Sequence, residues 1–137
     1  EVGYLDRLER LQLFPWSIDS VRLLNRAGFK VVVISNQAGV ARGFFTEPFV
    51  LEVQREIDAR MHAAGGRIDG WYYCPHHPDA PLAQYRRQCE CRKARAVLVR
   101  TGYGAAEERR PPDGLAAEKI ADNLIEAVVW ILGEPEA

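Results

Sequence analysis

From Pro15 onward, apolar side chains recur at helical spacing, at Ile18, Val21, Leu24 and Ala27, and Gly28 follows where a helix C-terminus favours glycine. The pattern predicts about three turns of amphipathic helix. Lys30 to Ser35 then loses that period: Val31, Val32, Val33 and Ile34 are β-branched throughout. Such a run predicts a strand covered on both faces of a parallel sheet. Thr46 is a suitable N-cap, with Glu47 and Pro48 in the first turn. Phe49, Val53, Ile57 and Met61 then form one stripe that ends at Gly65-Gly66, predicting a second helix. Ile68 to Tyr73 reads as a second strand and Ala96 to Arg100 as a third. Residues 105–114 have no period and read as a surface loop. Leu115 to Leu132 has helical content, with a short strand expected near Leu124-Ile125. No internal repeat is present, and the helix–strand–helix order predicts an α/β fold with helices flanking a parallel sheet.

The chain has 137 residues, enough for one domain that buries about two-thirds of its unfolded surface. Its 18 basic and 19 acidic residues are intermixed and leave a formal net charge of −1. There is no electrostatic footprint for nucleic acid or an anionic membrane, so a small-molecule partner and a monomer are expected. No apolar run has transmembrane length and no signal-peptide pattern opens the chain, so a cytoplasmic setting is expected. The first residue is Glu1 rather than methionine, which suggests an omitted upstream segment.

Cys74, His76, Cys89 and Cys91 form a C-x-H-x12-C-x-C set that uses every cysteine of the chain. Four soft ligands within one turn-rich segment suit a tetrahedral zinc, in a loop spanning residues 74–91. A disulfide fits less well, because three cysteines leave one unpaired and Cys89 and Cys91 are too close to bridge comfortably. A blander alternative is a few thiols beside a surface histidine. The spacing is not that of a common zinc finger, and with His77 adjacent the choice of histidine stays open.

Ser35-Asn36-Gln37 stands where the apolar strand gives way to the glycine-containing loop Ala38-Gly39-Val40-Ala41-Arg42-Gly43. Ligands of open α/β sheets bind at that edge, and a hydroxyl with free loop amides there can hold a phosphoryl oxygen. A plain strand-ending turn is the alternative. Arg92 and Lys93 directly follow the cysteine segment. One offers a fork for phosphate oxygens and the other a compact ammonium, unless the pair is simply a solvated basic dipeptide.

Taken together, ISNQAGVARG (34–43), GWYYCPHHP (70–78) and CECRK (89–93) resemble the D-glycero-D-manno-heptose-1,7-bisphosphate 7-phosphatases of the haloacid dehalogenase (HAD) superfamily. The resemblance covers Glu1 to about Lys93 and resumes over Ala94 to Gly102. It implies a HAD-like, Rossmann-type sheet with a structural zinc on Cys74, His76, Cys89 and Cys91. It further implies Ser35 on the phosphoryl group, Lys93 as the catalytic lysine, Asn36, Gln37 and Arg92 on the substrate, and Gly3-Tyr4 beside the sugar. The implied activity removes the C7 phosphate of the heptose bisphosphate through an aspartyl-phosphate, with magnesium. Histidinol-phosphate phosphatase, a related zinc-loop branch, is the nearest alternative. An inactive zinc-stabilised remnant is another.

The match departs from the family pattern in two places. The resemblance implies an Asp-x-Asp strand ahead of the first helix, and the chain begins after it. Asp6 imitates its start, but Leu8 stands at the second aspartate position, so Asp6 reads as a surface carboxylate. A strand ending in Gly-Asp is expected between Lys93 and Ala94, where no residue intervenes. The expectation is therefore a single incomplete domain over residues 1–137, lacking the central strand and a neighbour. Without them, apolar faces would stay exposed and the 137 residues would have no turnover.

Overall fold

Pro15 occupies the first turn of α1 (Pro15–Arg26), where its missing N–H costs nothing and its fixed φ favours the helix. The helix ends at Gly28, whose φ of 86° few other residues tolerate. The computed structural model describes residues 4–87, 97–99, 117 and 119–133. Strand β1 (Val32–Asn36) follows α1 and leads directly into a one-turn helix, α2 (Ala38–Ala41). The segment expected to be loop is thus partly helical, because the Arg42 amide closes a turn onto the Ala38 carbonyl. Helix α3 (Glu47–Ala63) is capped by Thr46, whose Oγ1 accepts from the Phe49 amide at 3.4 Å. It returns the chain to β2 (Gly70–Cys74), parallel to β1 in the register Val32↔Gly70 to Asn36↔Cys74. The Gln37 amide, donating to the Cys74 carbonyl at 2.8 Å, carries the ladder one step further.

Side chains fix the two ends of this crossover. Asn25 makes a reciprocal pair with the Arg67 backbone, accepting at 2.7 Å and donating at 3.1 Å, which ties the end of α1 to the turn before β2. Asp69 accepts from the Val31 amide at 2.9 Å and pairs with Lys30 and Arg67, so β1 and β2 start together. Gly39, buried in α2, admits a close approach: a Cβ there would lie 2.4 Å from ring atoms of Phe45.

Two further strands, β3 (Val97–Val99) and β4 (Lys119–Ala121), pair in parallel and are covered by α4 (Leu124–Gly133). The short strand expected near Leu124-Ile125 therefore lies earlier, and those two residues open a helix. Asn123 sets the boundary, its Oδ1 accepting from the Glu126 amide at 3.0 Å as an N-cap does. Packing of α1 against α4 joins the two strand pairs, around Val21, Ala127 and Val128. Among the described residues the strands form two separate two-stranded sheets. The expected parallel α/β arrangement is present, but the expected cover on both faces of β1 is not. Val32 and Ile34 are 46% and 64% exposed, and Tyr72, beside Ile34 in register, is 64% exposed. The alternation of β1 puts only Val33 and Ser35 on the covered side. No helix among the described residues is long and apolar enough to cross a membrane.

Candidate active site

The covered face of β1 and β2 and one flank of α3 enclose a cavity of about 190 Å³. Val33, Ser35 and Trp71 form its floor, Phe49, Val53 and Ile57 its helical wall, and Tyr4 and Leu5 close it from the N-terminal side. Three residues singled out in the sequence, Tyr4, Ser35 and Gln37, are thus brought to one place. The parallel ladder is the cause: it ends at Asn36 and Cys74, so whatever follows β1 gathers at the mouth. Asn36 alternates to the exposed side of the strand and does not line the cavity.

Gln37 Nε2 donates to Ser35 Oγ at 3.2 Å. With one lone pair of the hydroxyl so engaged, Ser35 keeps its own proton to donate, and its side chain lines the cavity. Gln54, on the α3 wall, has a buried Nε2 with no hydrogen-bond partner. A buried amide left so is costly unless an acceptor enters the cavity. No carboxylate among the described residues lines this space, so those walls do not by themselves make a magnesium site. Asp6 pairs with Arg7 and Arg10 at the surface, as the sequence suggested.

Cys74, at the end of β2, and His76 lie together, Sγ to Nδ1 at 3.5 Å. Burial, then the charge of Arg87, hold the His76 imidazole below its ordinary range, with Glu47 pulling the other way. His77 faces differently: its Nδ1 accepts from the Asp79 amide at 3.1 Å and its Nε2 meets Arg42. Gly3, Cys89, Cys91, Arg92, Lys93 and the Lys93-Ala94 junction lie outside the described residues. No group of three or more His, Cys, Asp or Glu placed to hold a metal occurs among those described.

Glu47, unremarked as a site residue in the sequence, anchors the segment after β2. The hydroxyls of Tyr73 and Tyr85 donate to its two oxygens at 2.5 and 2.6 Å. The Tyr73 and then the Tyr85 hydrogen bond hold the Glu47 carboxyl below the usual range. The same contact, with burial, pushes Tyr73 up to about 12. A raised phenol pKa contributes stability that is complete below the unfolded value of about 10 and is lost as pH rises through about 12. The lowered carboxyl contributes stability present above its unfolded pKa and lost as pH falls through the folded one. Glu47→Gln is expected to return Tyr73 toward about 10, read from its ring-carbon resonance in a pH titration. An unmoved Tyr73 would show that the carboxylate is not what raises it.

No protein-family model matches the chain. Among curated relatives, the D-glycero-beta-D-manno-heptose-1,7-bisphosphate 7-phosphatase of Yersinia pestis is 41% identical over 91 residues, which are 66% of this chain and 48% of that protein. The chain spans about half the length of the curated relatives it matches. Among solved structures, D,D-heptose 1,7-bisphosphate phosphatase from B. bronchiseptica, crystallised with magnesium and phosphate, superposes with a TM-score of 0.66. The superposition covers 87% of this chain and 83% of that one at 21% identity. A putative HAD-like phosphatase from Mesorhizobium loti gives the same TM-score at 20% identity, covering 96% of this chain and 80% of that one. The fold is therefore HAD-like.

Proposed function

From a chain that is a relative of the heptose-1,7-bisphosphate 7-phosphatases, we propose that it carries the phosphate- and sugar-binding part of a phosphomonoester hydrolase. Its substrate is D-glycero-D-manno-heptose 1,7-bisphosphate, losing the C7 phosphate. The observation that carries this reading is the convergence of Ser35, Gln37 and Tyr4 on one cavity at the carboxyl ends of β1 and β2. Ser35, its oxygen held by Gln37, donates its proton to a phosphoryl oxygen. Tyr4, with Gly3, bounds the sugar. Arg92 clamps the phosphate and Lys93 neutralises the carboxylate that attacks phosphorus, while Asn36 reaches the substrate from the strand end. In this reading the attacking aspartate and the carboxylates that would hold magnesium come from the Asp-x-Asp and Gly-Asp strands that the resemblance implies. The uncovered strip of Val32, Ile34 and Tyr72 supports a sheet short of neighbours, within one incomplete domain.

Zinc on Cys74, His76, Cys89 and Cys91 belongs to the same reading. A tetrahedral zinc with one sulfur at about 2.3 Å and one nitrogen at about 2.0–2.1 Å has an S···N edge of about 3.6 Å. The Cys74–His76 separation of 3.5 Å fits that edge, and His77 is engaged by Asp79 and Arg42, which supports His76 over His77 in this reading. Bound there, zinc would supply no chemistry but would hold residues 74–91 so that Arg92 and Lys93 reach the cavity. A small phosphorylated sugar as sole partner and a cytoplasmic, monomeric protein complete the proposal.

Calorimetric titration separates the readings. Heptose 1,7-bisphosphate should bind better than histidinol phosphate, and Ser35→Ala should weaken it about tenfold, the worth of one hydrogen bond to a charged group. Tighter binding of histidinol phosphate would transfer the protein to that branch. Binding of neither would leave a zinc-stabilised remnant.

A further inference from the structure

Arg42, directly after α2, extends its guanidinium between two elements far away in the chain. Its Nη1 donates to the Tyr4 hydroxyl at 3.0 Å, and its Nη2 lies 3.1 Å from His77 Nε2. Guanidinium has no acceptor, so the second contact depends on where the His77 proton sits. The Asp79 backbone amide is fixed in direction and donates to His77 Nδ1 at 3.1 Å. That nitrogen therefore carries no proton, and the neutral ring holds its proton on Nε2, facing Arg42. Two N–H donors thus converge with no acceptor between them among the described residues. The Tyr4 hydroxyl, accepting from Arg42, still has its own proton to give. No carboxylate among the described residues pairs with Arg42, whose side chain is exposed.

We infer that Arg42, His77 and Tyr4 form an anion subsite whose occupant is a phosphate monoester oxygen, one acceptor group satisfying all three donors. Tyr4 locates it: the ring lines the cavity that Ser35 and Gln37 share, and the hydroxyl marks its rim. Resting on the proposed sugar bisphosphate reading, the subsite takes the phosphate that is not transferred, while Ser35 holds the one that is. Arg42 then reads whether the substrate carries two phosphates or one. Three segments must meet to build it, and a tilted ring contact of Tyr4 with Phe44 at 4.9 Å, with edge contact to Phe45, positions the N-terminal one.

The test has two arms on the 137-residue chain. In the first, inorganic phosphate is titrated while the Arg42 side-chain N–H and His77 ring resonances are followed, with chloride at matched ionic strength as control. Saturable shifts with phosphate alone are expected, lost in Arg42→Gln and retained in Ser35→Ala. Absence of saturation, or equal response to chloride, overturns the subsite. In the second arm, heptose 1,7-bisphosphate and heptose 7-phosphate are compared by calorimetry. Arg42→Gln should reduce the preference for the bisphosphate about tenfold and leave the monophosphate unchanged, and Arg42→Lys should restore part of it, a point charge lacking the fork. Equal weakening of both sugars overturns the assignment to the second phosphate. If neither sugar binds while the first arm succeeds, the sugar phosphatase reading fails and the anion subsite stands.

Discussion

Heptose 1,7-bisphosphate incubated with magnesium and the 137-residue chain is expected to release phosphate no faster than in buffer. Phosphate monoesters are among the slowest reactions in water, and enzymes supply accelerations of up to about 10²¹ for them. A hydroxyl at Ser35 with Gln37 behind it can bind and polarise a phosphoryl group. Opening the P–O bond through an aspartyl-phosphate needs a carboxylate in line with phosphorus and oxygen ligands for magnesium. Among the described residues the cavity wall has neither: its polar side-chain groups are two hydroxyls, two amides and the Trp71 indole. Glu47 is occupied by two phenols and Asp6 by two arginines. Binding is expected to survive without turnover. Magnesium-dependent release that disappears in Lys93→Ala would contradict this and require a substitute carboxylate.

Cys74→Ser should yield a protein free of zinc where the parent chain, purified without chelator, carries one equivalent by metal analysis. Structural zinc contributes about 10–16 kcal/mol of apparent binding free energy in finger peptides, and the set here includes three thiolates. Losing one sulfur should therefore empty the site and loosen residues 74–91. The loss should be graded along the segment. Tyr73 and Tyr85 remain tied to Glu47, and the Arg86 guanidinium donates to the Ala80 carbonyl at 2.6 Å and to the Pro81 carbonyl at 3.2 Å. Hydrogen exchange should thus rise most beyond residue 87 and least around Tyr85. Parent protein containing no zinc would refute the site outright. Zinc retained by Cys74→Ser would remove Cys74 from the ligand set.

Helices α1 and α3 were legible in the sequence because their signals are local. Pro15, Thr46, Gly28 and Gly65 punctuate stretches whose apolar residues recur every three to four positions, the repeat of a helix surface. β1 announced itself by an unbroken β-branched run, and Ser35-Gln37 by standing at its end. Strand β4 was expected a few residues too late, near Leu124-Ile125, since Lys119–Ala121 carry no period and only pairing with Val97–Val99 makes them a strand. The exposure of Val32 and Ile34 was likewise beyond the sequence: a β-branched run states that a strand is apolar, not how many neighbours cover it. The same limit applies to the site. Arg42 and His77 are 35 positions apart, and Glu47 and Tyr85 are 38 apart. Composition offered only an arginine between small residues and a glutamate in a helix's first turn. Such pairs form because the β1–β2 register sets Asn36 beside Cys74, bringing the segments after both strands to one edge. Periodicity and caps encode what neighbours in the chain do. Parallel pairing across a long crossover is a choice among distant partners, and packing alone makes it.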